Sequence, residues 1–332
     1  MKKYISLFLA ALMLLSLLAG CGNGKTNAGD GDGTRTLVLR NAAGLSTNDP
    51  HATTNTHDYT VFENIYEGLY DLNEATGGYD LRLAEKVEAN DDATEYIVTL
   101  KQGVKFHNGE TMTADDVVFS YAHAQKDAHM GSYCRPLDHV EKVDEYTVKI
   151  VMNQPFSPIG HMLHKVKIMS KKGIEELGND FGKVPNKVGT GPYMWDENNY
   201  NPLSSWSAIA FEDYHRGKAQ IEKITWNVIE DDTSAITALQ NGEIVYMVVP
   251  ISYWEDIKAS DKFNCVEKES NEVMLFCINV ESKTHGELLR NDNIRLAMMY
   301  ALDRDGINKL VCDGYGTPTY MSVSYTHLRA HE

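Results

Sequence analysis

Residues 83–125 read LAEKVEANDDATEYIVTLKQGVKFHNGETMTADDVVFSYAHAQ and decide the fold class. Tyr96, Val98 and Leu100 fall on one side of an extended chain, which is the pattern of a strand with one buried face. The polar, glycine-containing residues 107–110 then predict a turn. Thr113 with Asp116 three residues later has the spacing of a capping box, and apolar residues at helical spacing follow. The stretch therefore predicts a strand, a turn and a helix of an α/β domain, and periodicity alone assigns it no chemistry.

The composition is that of a soluble protein with enough chain for about two domains. The 332 residues are 42% hydrophobic and 23% charged, and the formal net charge is −16. Such an acidic chain argues against binding to nucleic acid or to anionic lipid. The sequence has no G-x-S-x-G, no H-E-x-x-H and no cysteine pair with zinc spacing. The sequence therefore carries no enzyme signature, and neither an enzymatic activity nor a cofactor is predicted.

The first twenty residues differ from the rest of the chain. Lys2 and Lys3 precede an apolar run, residues 5–18, that is too short to span a membrane and ends in LAGC. This pattern predicts a secretory signal peptide. LAGC also resembles the lipobox of bacterial lipoproteins, which implies cleavage before Cys21 and lipidation of its sulfur. A plain signal peptide followed by an incidental cysteine is the alternative. Residues 21–35 have the composition of a flexible tether.

Four further cysteines remain in the exported chain: Cys134, Cys265, Cys277 and Cys312. An even number is compatible with disulfides outside the cytoplasm. Cys265 and Cys277 would face each other if their apolar runs paired as a hairpin centred near Asn271. Buried free thiols are the alternative, because pairing cannot be deduced from sequence.

The remaining sequence alternates between strand and helix patterns. Strands are predicted within residues 36–40, 138–152, 224–229 and 244–250, and helices around Val61 and from Asp232 and Asp292. Residues 41–50 form a loop at the end of the first strand, where α/β sheets collect ligands. The turn GTGPY, residues 189–193, lacks the spacing of a phosphate-binding loop and is predicted to be structural.

Several stretches together resemble the family 5 extracellular solute-binding proteins, the oligopeptide and dipeptide receptors of ABC importers. Val245 stands where that family usually has an aspartate, so no role is assigned to a carboxylate there. The resemblance runs from about Leu37 to Tyr320. It rests on residues 83–124, NDPH with ENIYEGLY, VGTGPY, ALQNGEIV, NEVMLFCIN, RNDNIRLAMMYALDRDGINKLV and DGYGTP.

The resemblance implies an α/β, periplasmic-binding-protein-like two-lobe fold of the class II type, with the second lobe largely missing. It places the first lobe at residues 36–270, with an inserted subdomain at about 70–190. Residues 271–320 would be a hinge strand, at 271–279, and the start of the second lobe. Residues 321–332, where the resemblance stops, are expected to be a foreign or out-of-frame tail. Residues 1–20 are the signal peptide.

The implied function is capture of short peptides outside the cytoplasm and their delivery to a permease and ATPase in the membrane. The protein would be a monomer held by its lipid on the outer face of the cell membrane, or periplasmic. Alternatives within the family are receptors for a nickel chelate, haem or an oligosaccharide. A surface lipoprotein without a transport role is a further alternative.

Ligand contacts are expected at the strand-end loop and at two aromatic residues. Peptides pair with exposed main chain, and aromatic side chains form sequence-tolerant pockets. No metal site is predicted, because the histidine pairs His51 with His57 and His161 with His164 are expected coincidences among twelve histidines. The candidate ligand residues are Asn41, Leu45, Ser46, Thr47, Tyr253 and Trp254.

Overall fold

The structure is a computed structural model that describes residues 35–268 and 273–319. The predicted signal peptide, Cys21, most of the tether, Asn271 and the predicted tail lie outside the described residues. The chain divides into two compact units between Met247 and Val248.

The first unit is mixed α/β, as predicted. Its strands are β1 Thr36–Asn41, β2 Tyr70–Asn73, β3 Gly78–Leu81, β4 Ala84–Ala89, β5 Glu95–Leu100, β6 Leu137–Asp144, β7 Thr147–Met152, β8 Tyr193–Asn201, β9 Ser205–Ala210 and β10 Lys223–Val228. Its α-helices are α1 Thr56–Ile65, α2 Ala114–Lys126, α3 Gly160–Lys165, α4 Lys171–Leu177 and α5 Asp232–Asn241.

One four-stranded sheet has the order β1-β10-β9-β8, with β1 parallel to β10 and the other pairs antiparallel. Trp195, Trp206 and Trp226 lie on three of these strands and are almost completely buried. Burying each large apolar side chain contributes about 1.5–3 kcal/mol. The tryptophans therefore fix the sheet whose first strand leads into the predicted ligand loop.

The second four-stranded sheet has the order β4-β5-β7-β6 and is covered by α2. Tyr96, Val98 and Leu100 are buried while Ile97 is exposed, which confirms the predicted strand face. Asp116 accepts a hydrogen bond from the Thr113 amide at 2.9 Å, which confirms the predicted capping box. The stretch that decides the fold class thus forms the core of this sheet.

The glycine-rich turn at residues 189–193 has a packing role, as predicted. A β-carbon on Gly189 would lie 2.2 Å from the Ile65 carbonyl oxygen, and one on Gly191 would lie 2.6 Å from that of Asn64. Contacts this short are excluded, so only glycine lets the turn approach the end of α1.

The predicted buried strand at residues 244–250 is wrong. The segment forms a single parallel bridge, between Leu39 and Tyr246, and does not continue as a strand. Tyr246 is 60% exposed and Val248 is 79% exposed. Its apolar run resembles a buried strand, yet the β1 edge accepts only a short contact before a helix begins at Ile251.

The predicted hinge strand at residues 271–279 is not a strand in its described part, residues 273–279. Met274, Leu275 and Phe276 are more than half exposed there. Cys265 and Cys277 are free. The hairpin that would pair them is centred near Asn271, which lies outside the described residues, and it stays a prediction. Cys134 and Cys312 are free as well. The predicted lobe boundary at 270–271 stays a prediction.

The second unit is helical in its described part. Its helices are α6 Ile251–Lys258, α7 Gly286–Leu289, α8 Asp292–Ala301 and α9 Arg304–Val311. No residue of α8 or α9 is buried, and Tyr300 and Leu310 are more than four-fifths exposed. The apolar side chains of these helices are therefore uncovered among the described residues.

Candidate functional site

The carboxyl end of β1 opens into the loop predicted to contact a ligand. Asn41, its last residue, is buried, and its side-chain amide donates to the Ala43 carbonyl at 2.9 Å. Its own carbonyl accepts from the Ile229 amide at 3.0 Å, which ties β1 to the end of β10. Asn41 therefore shapes the start of the loop from a buried position.

The next three candidates are fixed by bonds to distant parts of the first unit. The Leu45 amide donates to the Pro202 carbonyl at 2.8 Å, and the Thr47 hydroxyl donates to the Gly182 carbonyl at 3.1 Å. Leu45 is buried and Ser46 is exposed. The loop thus presents Ser46 on the surface while its neighbours hold it in one conformation.

Asp58 anchors the loop from its buried side and is not among the residues predicted from the sequence. Its carboxylate is fully buried and accepts the Ser46 amide at 3.1 Å, the Ser46 hydroxyl, and the Thr53 hydroxyl at 2.8 Å. It lies in the first turn of α1, whose N-cap is Asn55. The Asn-x-x-Asp spacing of a capping box marked the position, but here the carboxylate bonds to the loop instead.

Asp49 and His123 close the far side of the loop. His123 Nε2 lies 2.8 Å from an Asp49 carboxylate oxygen. Burial favours a higher pKa for Asp49, but the hydrogen bond and charge of His123 outweigh it and leave that pKa lowered. The same hydrogen bond raises the pKa of His123 above 6.5. An ion pair therefore joins α2 to the loop at mildly acidic pH.

The loop offers acceptors to a ligand. The main-chain amides of Leu45, Ser46 and Asn48 donate to groups within the chain. Among residues 35–268 and 273–319, no donor reaches the main-chain carbonyls of residues 44–47. These carbonyls can accept hydrogen bonds from a ligand, whereas most of the loop's donors are already used.

The two aromatic candidates belong to the second unit. Tyr253 and Trp254 lie on α6 rather than in a loop. Trp254 is buried, and in the described part of the chain its indole nitrogen has no hydrogen-bond partner. The Lys258 ammonium lies 5.5 Å from the centre of its ring. The first four candidates therefore lie together at β1, and these two lie side by side on α6.

Neither of the two histidine pairs noted in the sequence forms a metal site as a pair. His161 is exposed and lies 3.2 Å from the Tyr79 hydroxyl, whereas His164 is buried. His51 is buried and accepts the Lys167 amide at 3.1 Å. In the part of the chain that the structure describes, His51 and His164 instead join two separate groups of carboxylates and histidines.

No helix among residues 35–268 and 273–319 has the length and apolar character needed to cross a membrane.

The family model of bacterial extracellular solute-binding proteins, family 5 Middle, matches residues 79–331. The glutathione-binding protein GsiB of Salmonella paratyphi A is 30% identical over 292 residues, which are 85% of this chain and 55% of GsiB. The oligopeptide-binding protein AppA of Bacillus subtilis is 31% identical over 283 residues, 80% of this chain and 49% of AppA. The chain thus spans about half the length of these relatives.

The fold agrees with the sequence comparison. The solved structure of Bacillus subtilis AppA with a nonapeptide superposes with a TM-score of 0.77 at 25% identity, over 87% of this chain and 58% of AppA. The match confirms the predicted periplasmic-binding-protein-like fold, and the family is one of solute-binding proteins rather than enzymes. The chain belongs to the bacterial extracellular solute-binding proteins of family 5.

Proposed function

We propose that the protein is the substrate-binding component of an ABC importer that captures short peptides outside the cytoplasm and delivers them to a membrane permease. The observation that carries the proposal is the similarity to AppA in both sequence and fold, because AppA is an oligopeptide-binding protein. A permease and an ATPase are the implied partners.

The loop at residues 44–47 supports a peptide ligand. Its unbonded carbonyls suit the N–H groups of a peptide main chain, and such pairing is independent of peptide sequence. In this proposal Leu45, Ser46 and Thr47 supply main-chain carbonyls, and Asn41, which is buried and whose carbonyl is already bonded, shapes the start of the loop. Tyr253 supplies aromatic surface for ligand side chains, whereas Trp254, predicted for the same role, is buried.

Glutathione is a second candidate ligand, favoured by the 30% identity to GsiB. It is itself a tripeptide with one side-chain linkage, so it shares the N–H donors that the loop would bind. The family's nickel-chelate, haem and oligosaccharide ligands, and a surface role without transport, are the alternatives that a binding experiment separates.

The binding test is calorimetric titration of the full chain with trialanine, a nonapeptide and glutathione. We expect saturable binding of one peptide per chain. Trialanine with its two peptide bonds replaced by esters is the matched control, because each ester keeps the trans shape but lacks the N–H donor. Losing one hydrogen bond of about 1–1.5 kcal/mol weakens binding about tenfold. No saturable binding of any peptide would refute peptide capture, and equal affinity for both trialanines would refute the role of the loop.

The proposed anchor and transport partners need separate tests. We propose that Cys21 carries the lipid that holds a monomer at the outer face of the cell membrane. Labelled fatty acid should enter the wild-type protein in cells and not Cys21→Ala. Sequencing the source locus through and beyond the codon for Tyr320 tests the proposed transport partners. Permease and ATPase genes beside it would support transport, and their absence would favour a surface lipoprotein.

A further inference from the structure

Glu63, Asp71 and His164 come together in the first unit although they lie on three different elements. Glu63 is on α1, Asp71 on β2 and His164 on α3. One ligand atom from each lies within 4.8 Å of those of the other two. The two carboxylates line a cavity of about 60 Å³. The group is separate from the loop at residues 44–47.

The His164 imidazole is buried beside a carboxylate to which it is not hydrogen-bonded. Nε2 of His164 lies 3.8 Å from Glu63 Oε1, which is too far for a hydrogen bond. Its Nδ1 is buried and has no hydrogen-bond partner in the described part of the chain.

Each carboxylate is held by a cation through one oxygen only. Lys167 Nζ lies 2.8 Å from Glu63 Oε2, and the Arg82 guanidinium pairs with Asp71 Oδ2. The second oxygen of each carboxylate is outside these ion pairs. Supporting bonds of this kind orient metal ligands.

We propose that Glu63, Asp71 and His164 bind a divalent transition-metal ion of the zinc class. Metal–ligand bonds of about 2.0–2.2 Å place oxygen and nitrogen ligands about 3–4 Å apart across the metal. The 3.8 Å between His164 Nε2 and Glu63 Oε1 lies in this range. Asp71, which is about one-third exposed, offers a carboxylate oxygen within 4.8 Å of the ligand atoms of the other two.

The charges around the cavity are compatible with a cation. Three carboxylates and two cationic side chains line it, so the lining carries one excess negative charge. The third carboxylate, Glu67, is occupied by the Thr190 hydroxyl at 3.0 Å, the Tyr214 hydroxyl at 2.8 Å and His215 at 3.0 Å. Glu67 therefore adds charge without competing for the metal.

The other group of three, Asp49, His51 and His123, does not qualify. His123 and Asp49 are already bonded to each other at 2.8 Å. His51 Nε2 accepts the Lys167 amide, so the proton of the neutral ring is on Nδ1 and neither nitrogen has a lone pair for a metal. In the group of Glu63, Asp71 and His164, by contrast, His164 Nε2 lies 3.8 Å from Glu63 Oε1 and is not hydrogen-bonded to it.

Zn²⁺ binding to the full chain by equilibrium dialysis tests the proposal, with accessible thiols alkylated so that cysteines do not bind the metal. We expect one Zn²⁺ per wild-type chain and a higher melting temperature when it is bound. His164→Asn should weaken binding about tenfold or more, since removing even a supporting group of a metal ligand costs 10–100-fold. Asp71→Asn, on a half-exposed hairpin and compatible with folding, should do the same.

His161→Asn is the matched control, because His161 is exposed on the same helix and outside the proposed ligand set. It should bind Zn²⁺ as the wild type does. No stoichiometric Zn²⁺ binding by the wild type would overturn the proposal. Equal losses in His161→Asn and His164→Asn would also overturn it, as would unchanged binding by Asp71→Asn. None of these results depends on whether the protein binds peptides.

Discussion

Replacing Asp58 tests whether its buried carboxylate stabilises the loop that follows β1. Asp58→Ala removes the acceptor for the Ser46 amide, the Ser46 hydroxyl and the Thr53 hydroxyl. Hydrogen bonds to a charged acceptor contribute about 1.5–3 kcal/mol each, so the gross loss of the three is about 4.5–9 kcal/mol. Ser46 is exposed and water can replace its two bonds, whereas Thr53 is buried. We therefore expect a net loss of about 2–4 kcal/mol in the free energy of unfolding.

Asp58→Asn is the matched variant, and its expected effect is much smaller. The amide oxygen still accepts from the Ser46 main chain. The new NH₂ group can donate to the two hydroxyls, which can rotate and act as acceptors. The loss should stay below about 1.5 kcal/mol. Urea unfolding followed by the fluorescence of the buried tryptophans in the first unit measures both variants. If Asp58→Ala lost less than about 1 kcal/mol, or Asp58→Asn lost as much as Asp58→Ala, the anchoring role would be refuted.

Three further predictions concern packing, pH and exposed surface. Gly191→Ala should cost about 1–3 kcal/mol in the free energy of unfolding because its β-carbon meets a main-chain oxygen of α1. Gly78→Ala is the control, because Gly78 also has no positive φ and its β-carbon would meet only the Thr76 hydroxyl at 3.3 Å. The ion pair of Asp49 with His123 should stabilise the protein most between about pH 4 and 6.5. Its contribution is lost above that range as His123, whose pKa is raised, releases its proton, and below it as Asp49 is protonated. The difference in urea midpoint between wild type and His123→Gln should therefore shrink at both ends, and a pH-independent difference would contradict the prediction. The chain should bind a hydrophobic dye such as ANS through its second unit, and Leu310→Lys should reduce the signal, since Leu310 is 84% exposed; an unchanged signal would count against this surface.

Features encoded by neighbouring residues could be predicted from the sequence. The first strand was expected at residues 36–40 and is Thr36–Asn41. Gly242 ends α5 with a φ of 76°, as its position after an apolar helix predicts. The helices expected to be capped by Asp232 and Asp292 are capped one residue earlier, by Asp231 and Asn291. Such errors are small because both residues of each pair are good N-caps.

The failures concern segments whose structure depends on a distant partner. Residues 244–250 have the apolar run of a buried strand, but a strand needs a neighbour along its whole length, and only Leu39 bridges to Tyr246. The residues that hold the candidate loop were missed for the same reason. Thr47 bonds across 135 residues to Gly182, and Asp49 bonds across 74 residues to His123. No local pattern encodes those distances.

The way the loop is held also limits what it can bind. Asp58, Pro202 and Gly182 each take a donor from the loop, while no donor in the described part of the chain reaches the carbonyl oxygens of residues 44–47. Because these bonds already fix the main chain, a ligand bound there would cost little further ordering. Under the proposed function, the N–H groups of a peptide would meet these acceptors, whereas the peptide's own carbonyls would need donors elsewhere. The position of the loop was predictable from the strand that precedes it, but its preference for donors follows only from bonds that the fold makes.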